Sequence, residues 1–95
     1  MPAYIVATVS ITDPARFADY ARAIAGVSES FGGESLMKGV VAEMLEGEAP
    51  AGERVVVSRF PDAAAARAYV ASDAYAAARA LREGAAIVAM RLIEA

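Results

Sequence analysis

The chain has 95 residues, 58% of them hydrophobic, a mean hydropathy of +0.40, a formal charge of −3, and neither Cys nor His. Such a chain folds as one domain, residues 1–95, near the small end of what folds without staples, and it is too apolar to be disordered. Without Cys and His it has no disulfide, no thiolate nucleophile, and neither the commonest general base nor the commonest metal ligand, so no metal or cofactor is expected; its acidic balance without a basic cluster argues against nucleic acid.

In chain order, Tyr4 to Ile11 reads as a first strand. Asp13-Pro14 marks a helix start, with Asp13 as N-cap and Pro14 at the first helical position, where its missing N–H costs nothing. From there Phe17, Tyr20, Ala21, Ile24 and Val27 or Ser28 recur at helical spacing. The spacing predicts an amphipathic helix of about four turns ending near Phe31, closed by Gly32-Gly33. Glu34 to Gly47 reads as a long second strand with a bulge or close backbone approach at Gly39. A polar turn, Glu48 to Glu53, joins it as a hairpin to a third strand, Arg54 to Phe60, which Pro61 closes. Asp62 caps a short helix, Ala63 to Val70, burying Ala66, Tyr69 and Val70. Ser72-Asp73 interrupts it and caps a second piece, Ala74 to Glu83. Gly84 ends that piece before a last strand, Ala86 to Ile93. The order is β-α-β-β-α-β with a split second helix: an α+β, ferredoxin-like fold with a four-stranded antiparallel sheet and its helices on one face.

All four strands carry bulky apolar residues at odd and even positions alike, so both faces of the sheet need cover. The helices cover one face. About a quarter of the residues are Ala, which buries little area, so the core is thin. A second copy of the chain is the expected lid, giving a homodimer through the sheet faces. No membrane partner is expected, because no run of about eighteen apolar residues occurs. Met1-Pro2-Ala3-Tyr4 leads straight into the first strand without a basic leader, which leaves the cytoplasm as the default location.

Landmarks along nearly the whole length resemble one family. They are Tyr4-Ile5-Val6, Thr12-Asp13-Pro14 with Phe17 and Tyr20, Phe31-Gly32-Gly33, Glu46-Gly47, Phe60-Pro61, Ala65-Ala66-Arg67-Ala68-Tyr69, Ser72-Asp73-Ala74-Tyr75 and Ala80-Leu81-Arg82. In this order and spacing they resemble domain of unknown function family 1330. The resemblance implies a dimeric α+β barrel, in a superfamily similar to cofactor-free antibiotic-biosynthesis monooxygenases, muconolactone isomerases and chlorite-dismutase-like haem proteins. That superfamily spans catalysts and non-catalysts, so fold analogy carries little functional weight. Two positions depart from the family pattern. It usually has Arg after Gly-Gly, where this chain has Glu34, and an acidic residue before Phe-Pro, where this chain has Arg59. The swap either reverses the polarity of an ion pair or changes the preference for a charged ligand.

Three groups of side chains are candidate site residues, each with a plainer alternative. Glu43 and Arg59, joined by Arg91 if its face agrees, can form a polar cluster in an apolar barrel, or a structural ion pair at a sheet end. Tyr75, Arg79 and Arg82 are spaced four and three apart on one helical side behind Ser72. A phenol and guanidiniums there suit a carboxylate or enolate; otherwise Ser72 is only a cap, Tyr75 packs on the sheet and the arginines lie in solvent. Phe17, Tyr20, Phe31 and Tyr69 can line a pocket between helices and sheet, or simply build core. Thr8, Ser10 and Ser58 are either pocket hydroxyls or strand-rim residues.

These residues suggest a small-molecule binder of unsettled activity. Any catalysis would be proton transfer or cofactor-free oxygenation, with Tyr75, Arg82 and Arg59 as catalytic groups and Tyr20, Tyr69, Ser72, Phe17 and Glu43 as ligand contacts. The alternative is a structural or partner-binding dimer without a pocket.

Overall fold

Each helix opens on the side chain that the sequence marks as its cap. Asp13 accepts from the Arg16 N–H at 3.2 Å, Asp62 from the Ala65 N–H at 2.8 Å, and Ser72 from the Tyr75 N–H at 3.1 Å. Each bond satisfies one of the donors that a helix start leaves without a partner. The computed structural model describes residues 1–95 as β1 (Ala3–Ile11), α1 (Pro14–Ile24), β2 (Glu34–Val40), β3 (Arg54–Phe60), α2 (Ala63–Val70), α3 (Asp73–Leu81) and β4 (Ala86–Glu94). The sheet order is β2-β3-β1-β4, and every neighbouring pair is antiparallel. This is the α+β, ferredoxin-like arrangement, with the helices on one face of the sheet.

Two elements are shorter than their sequence patterns suggest. α1 stops at Ile24 rather than near Phe31, because the chain leaves helical geometry at Ala25 (ψ 127) and turns through Gly26 at φ +79. The apolar stripe continues through Val27 into a 3₁₀ turn at Glu29–Phe31, which still packs Phe31 against Tyr69 at 6.1 Å between ring centroids. β2 stops at Val40 rather than Gly47. It is an edge strand and pairs only with β3, which starts at Arg54, so beyond the bond from Val41 N–H to the Glu53 carbonyl it has no partner. The bulge lies at Leu36, between Ser35 and Met37, and not at Gly39. The second piece of the split helix runs Asp73–Leu81, and Val70, expected in the core, is 40% exposed.

Strand alternation sorts the sheet cleanly. Ala3, Ile5, Ala7 and Val9 of β1 are buried under the helices. Opposite them, Phe60, Ser58, Val56 and Arg54 share that face on β3, and Leu92, Met90 and Val88 share it on β4. Phe60, 1% exposed, is the largest fully buried side chain and stacks on Tyr69 at 5.6 Å. Ala66, 1% exposed, lets α2 approach the sheet closely. Only 11 of the 95 residues are buried, and the molecule is a plate of 33 × 30 × 16 Å. The other face of the sheet carries Tyr4, Val6, Val55, Val57, Met37, Ile87 and Ile93, with nothing from this chain above it.

Gly33 lies where the chain turns onto β2 against the core. A Cβ there would sit 2.8 Å from the Ser28 carbonyl oxygen and 2.9 Å from the Phe60 ring, whereas one at Gly39 would meet nothing within 4 Å. In urea denaturation, Gly33→Ala is therefore expected to lower the unfolding free energy by about 1–3 kcal/mol. Gly39→Ala is expected to leave it unchanged or raise it by up to about 1 kcal/mol, through the lower entropy of the unfolded chain.

Candidate functional site

α1 packs along α3 and has no fully buried side chain, so the sheet beneath it is left uncovered. The gap is a cavity of about 440 Å³. Cross-strand rows on the helix-facing side form its floor. One row runs Met90–Ala7–Val56–Lys38 from β4 to β2, and the next runs Val88–Val9–Arg54–Val40. Phe17, Tyr20, Ala21 and Ile24 of α1 form the roof, and Tyr69, Tyr75 and Arg82 close the side over β4.

That side is an interlocked aromatic and cationic group. The Tyr75 hydroxyl donates to Met90 Sδ at 3.0 Å and accepts from Arg82 Nη1 at 3.2 Å. Arg82 Cζ lies 5.0 Å from the Tyr20 ring centroid and 5.7 Å from that of Tyr75, within cation–π range of both. Tyr69 meets Tyr75 edge-on at 5.1 Å, and Tyr20 meets Phe17 at 5.3 Å. The Thr12 and Asp13 N–H groups both donate to the Ala85 carbonyl, at 2.8 and 3.0 Å, pinning the start of α1 to the turn after α3. This tie brings Tyr20 to Arg82.

The electrostatics make this group a donor. Burial lifts the Tyr20 hydroxyl above its ordinary 10.0, and the nearby Arg82 charge only partly opposes the rise. Burial lifts Tyr69 as well, and Tyr20 and Tyr75 add to it. Both phenols are neutral at pH 7. For Arg82, burial acts to lower the pKa, but the hydrogen bond to Tyr75 and the nearby phenols outweigh it and hold the guanidinium above its ordinary range. Of its five N–H groups one donates to Tyr75 and another reaches toward the Tyr20 hydroxyl, which leaves the rest to bind an oxygen in the cavity.

The candidate residues do not all come together. Phe17, Tyr20, Tyr69, Tyr75 and Arg82 line the cavity, while Arg79 is exposed on the outside of α3. Ser72 does not line it. Its hydroxyl donates to the Tyr69 carbonyl at 2.7 Å and caps α3, so it links the two tyrosine backbones. Glu43 is exposed beyond the end of β2 and does not share a face with Arg59. The hairpin register sets Glu34, not Glu43, opposite Arg59, although the two side chains do not form an ion pair. Arg59 and Arg91 lie on the open face of the sheet, away from the cavity, as do Thr8 and Ser10. Ser58 lines the cavity, as do three charged residues that the sequence reading passed over: Lys38, Arg54 and Glu29. Arg54 shares parity with Phe60, so it was open to inference. Lys38 was hidden by the bulge at Leu36, which reverses the faces of the rest of β2.

Because the fold raises the Tyr20 and Tyr69 pKa values, the stability they contribute is fully present below about pH 10 and is lost as pH rises through their folded-state values. The urea midpoint is expected to hold from neutral pH to about pH 10 and then fall. Tyr69→Phe should flatten that fall and remove the latest-titrating component of the tyrosinate absorbance.

Solved structures share this fold. RPA0582 from Rhodopseudomonas palustris, a protein of unknown function, is 21% identical with a TM-score of 0.78, over 99% of this chain and 82% of that one. A dimeric ferredoxin-like protein of unknown function from Jannaschia sp. CCS1 is 14% identical with a TM-score of 0.75 over the whole of both chains. SnoaB, a cofactor-independent oxygenase from Streptomyces nogalater, is 15% identical with a TM-score of 0.70, over 99% of this chain and 92% of that one. Identities this low establish the fold alone. Comparison with curated proteins gives no match. No helix is long and apolar enough to cross a membrane. A family model matches residues 2–95, and the chain belongs to the domain of unknown function family DUF1330.

Proposed function

We propose that this protein is a homodimeric binder of a small organic molecule, seated between helices and sheet in each protomer. The observation that carries the reading is the cavity of about 440 Å³, with an apolar floor and a Tyr20–Arg82–Tyr75 group at one side. It falls in the size range of small-molecule sites and has their usual make-up, an apolar lining with a few convergent polar groups. The neutral phenols of Tyr20 and Tyr69 and the Arg82 guanidinium supply hydrogen-bond donors and positive charge, not a base. Binding is therefore better supported than proton abstraction. Stabilising a developing oxyanion at Arg82 is the step that any catalysis, including oxygenation of the kind SnoaB performs, would draw on.

A thermal-shift screen of aromatic acids, phenols and lactones tests the reading. At least one compound is expected to raise the Tm of the wild type, and the shift should be lost in Arg82→Ala. Shifts that survive the substitution would remove Arg82 as the anchor. No shift with any compound would favour a dimer without a ligand.

Dimerisation rests on the open face. Val6, Val55, Val57, Met37, Ile87 and Ile93 share it, and Ile87 is 72% exposed. Covering the exposed part of these six in both protomers is worth on the order of 7–14 kcal/mol. Association costs about 4–15 kcal/mol. The dimeric Jannaschia relative is a further support. Sedimentation equilibrium at micromolar concentration is expected to give twice the 9.8 kDa chain mass. Val57→Lys, placed between Val6 and Met37 on that face, should give the monomer. A wild type that sediments as a 9.8 kDa particle would overturn the dimer.

A further inference from the structure

The charged residues around the cavity are not a sample of the chain. The protein carries 12 acidic and 9 basic residues, yet the cavity is lined by Lys38, Arg54 and Arg82 against a single carboxylate, Glu29. None of these three cations is in an ion pair, since the chain's one ion pair joins Arg22 to Asp19 on the outside of α1. Lys38 and Arg54 are diagonal neighbours on the helix-facing side, with Lys38 opposite Val56 and Arg54 opposite Val40. Diagonal cross-strand neighbours lie about 7–8 Å apart, within reach of long side chains. Two like charges on one face repel each other, and no carboxylate lies within ion-pair distance of either.

Their position relative to Arg82 is equally specific. Tyr75, to which Arg82 donates, contacts Met90 on β4, and Met90 begins the row that ends at Lys38 on β2. Three strand spacings, about 14 Å, separate the ends of that row, and between them lie only Ala7 and Val56. A ligand that spans the floor meets a cationic donor group at one end, an apolar middle, and a pair of cations at the other end.

We infer that the ligand is an elongated apolar acid, with its anionic group held by Lys38 and Arg54 at the β2 end and an oxygen held by Arg82 at the β4 end. The inference rests on the binding reading above and adds the ligand's chemical class and orientation. An anion between Lys38 and Arg54 would relieve their repulsion and form charge-assisted hydrogen bonds to both. Because their charges oppose each other in the empty protein, substituting both is expected to leave the folded chain no less stable.

A matched pair of dyes tests this without knowledge of the natural ligand. Anilinonaphthalene sulfonate is an anion, and phenylnaphthylamine is the same skeleton without the sulfonate. Fluorescence titration is expected to show the wild type binding the sulfonate about 10-fold or more tightly than its parent. Lys38→Met with Arg54→Met should abolish that preference and leave parent-dye affinity unchanged, and each single substitution should remove part of it. Arg22→Met with Arg79→Met, on the outer sides of α1 and α3, should leave the preference intact. Equal affinity for the two dyes, a preference for the parent, or a sulfonate preference that survives loss of Lys38 and Arg54 would overturn the acid assignment and leave the pocket reading standing. Failure of the wild type to bind either dye would overturn both.

Discussion

Helix α1 rests on α3 and not on the sheet, and the character of the site follows from this arrangement. The tie from Thr12 and Asp13 to Ala85 fixes where α1 begins, and Gly26 fixes where it stops. Between these points Phe17, Tyr20 and Ile24 reach down without meeting the strands closely enough to become fully buried. Elsewhere the helix layer touches down through alanine. Ala66, 1% exposed, lets α2 lie close to the sheet, with Phe60, Tyr69 and Tyr75 filling the space around it. Tight packing over one part of the sheet and a raised helix over the other produce a cavity whose wall is core. Tyr69 and Tyr75 therefore hold the fold together and line the site at once.

The same small core bears on the opposite face. A plate 16 Å thick with 11 buried residues has little apolar area to set against the entropy of ordering 95 residues. β1 and β3, the two central strands, turn Tyr4, Val6, Val55 and Val57 to the side away from the helices. In the proposed dimer that side becomes core, and the cavity on the other side stays open. Division of labour between the two faces lets one domain of this size keep a pocket, because stability gained on one face tolerates an unfilled volume on the other.

Much of this was legible in the sequence. The three caps, the element order, the limits of β3 and the uncovered sheet face follow from local rules: short polar side chains before helical stripes, β-branched runs, and strand alternation. The misjudged points are those set by long-range geometry. β2 was read seven residues too long, because an edge strand ends where its partner ends, and that partner lies beyond a turn. Counting the register from the turn sets Glu43 beside Arg59, and Gly39 suggests a bulge or a close backbone approach, whereas the bulge lies at Leu36. One unseen bulge then misassigned the faces of β2 and hid Lys38. Tyr20 and Arg82 were each singled out, but their contact depends on the α1–α3 packing, which no local pattern encodes.

The two ends of the cavity floor differ in kind, and the difference constrains the chemistry. At the β4 end, Arg82 is bonded to Tyr75 and faces the Tyr20 ring, so its position is fixed before any ligand arrives. A preorganised donor of this sort favours charge that develops on an oxygen, since little reorganisation is needed as the charge appears. At the β2 end, Lys38 and Arg54 are long exposed side chains on an edge hairpin, suited to capturing charge that already exists. The Tyr20 and Tyr69 phenols are held protonated, so they can share a developing negative charge through hydrogen bonds without removing a proton themselves. A molecule turned over by such a site would have to bring its own acidity: one anionic group to be held, and a second, weakly acidic position whose ionisation Arg82 makes easier.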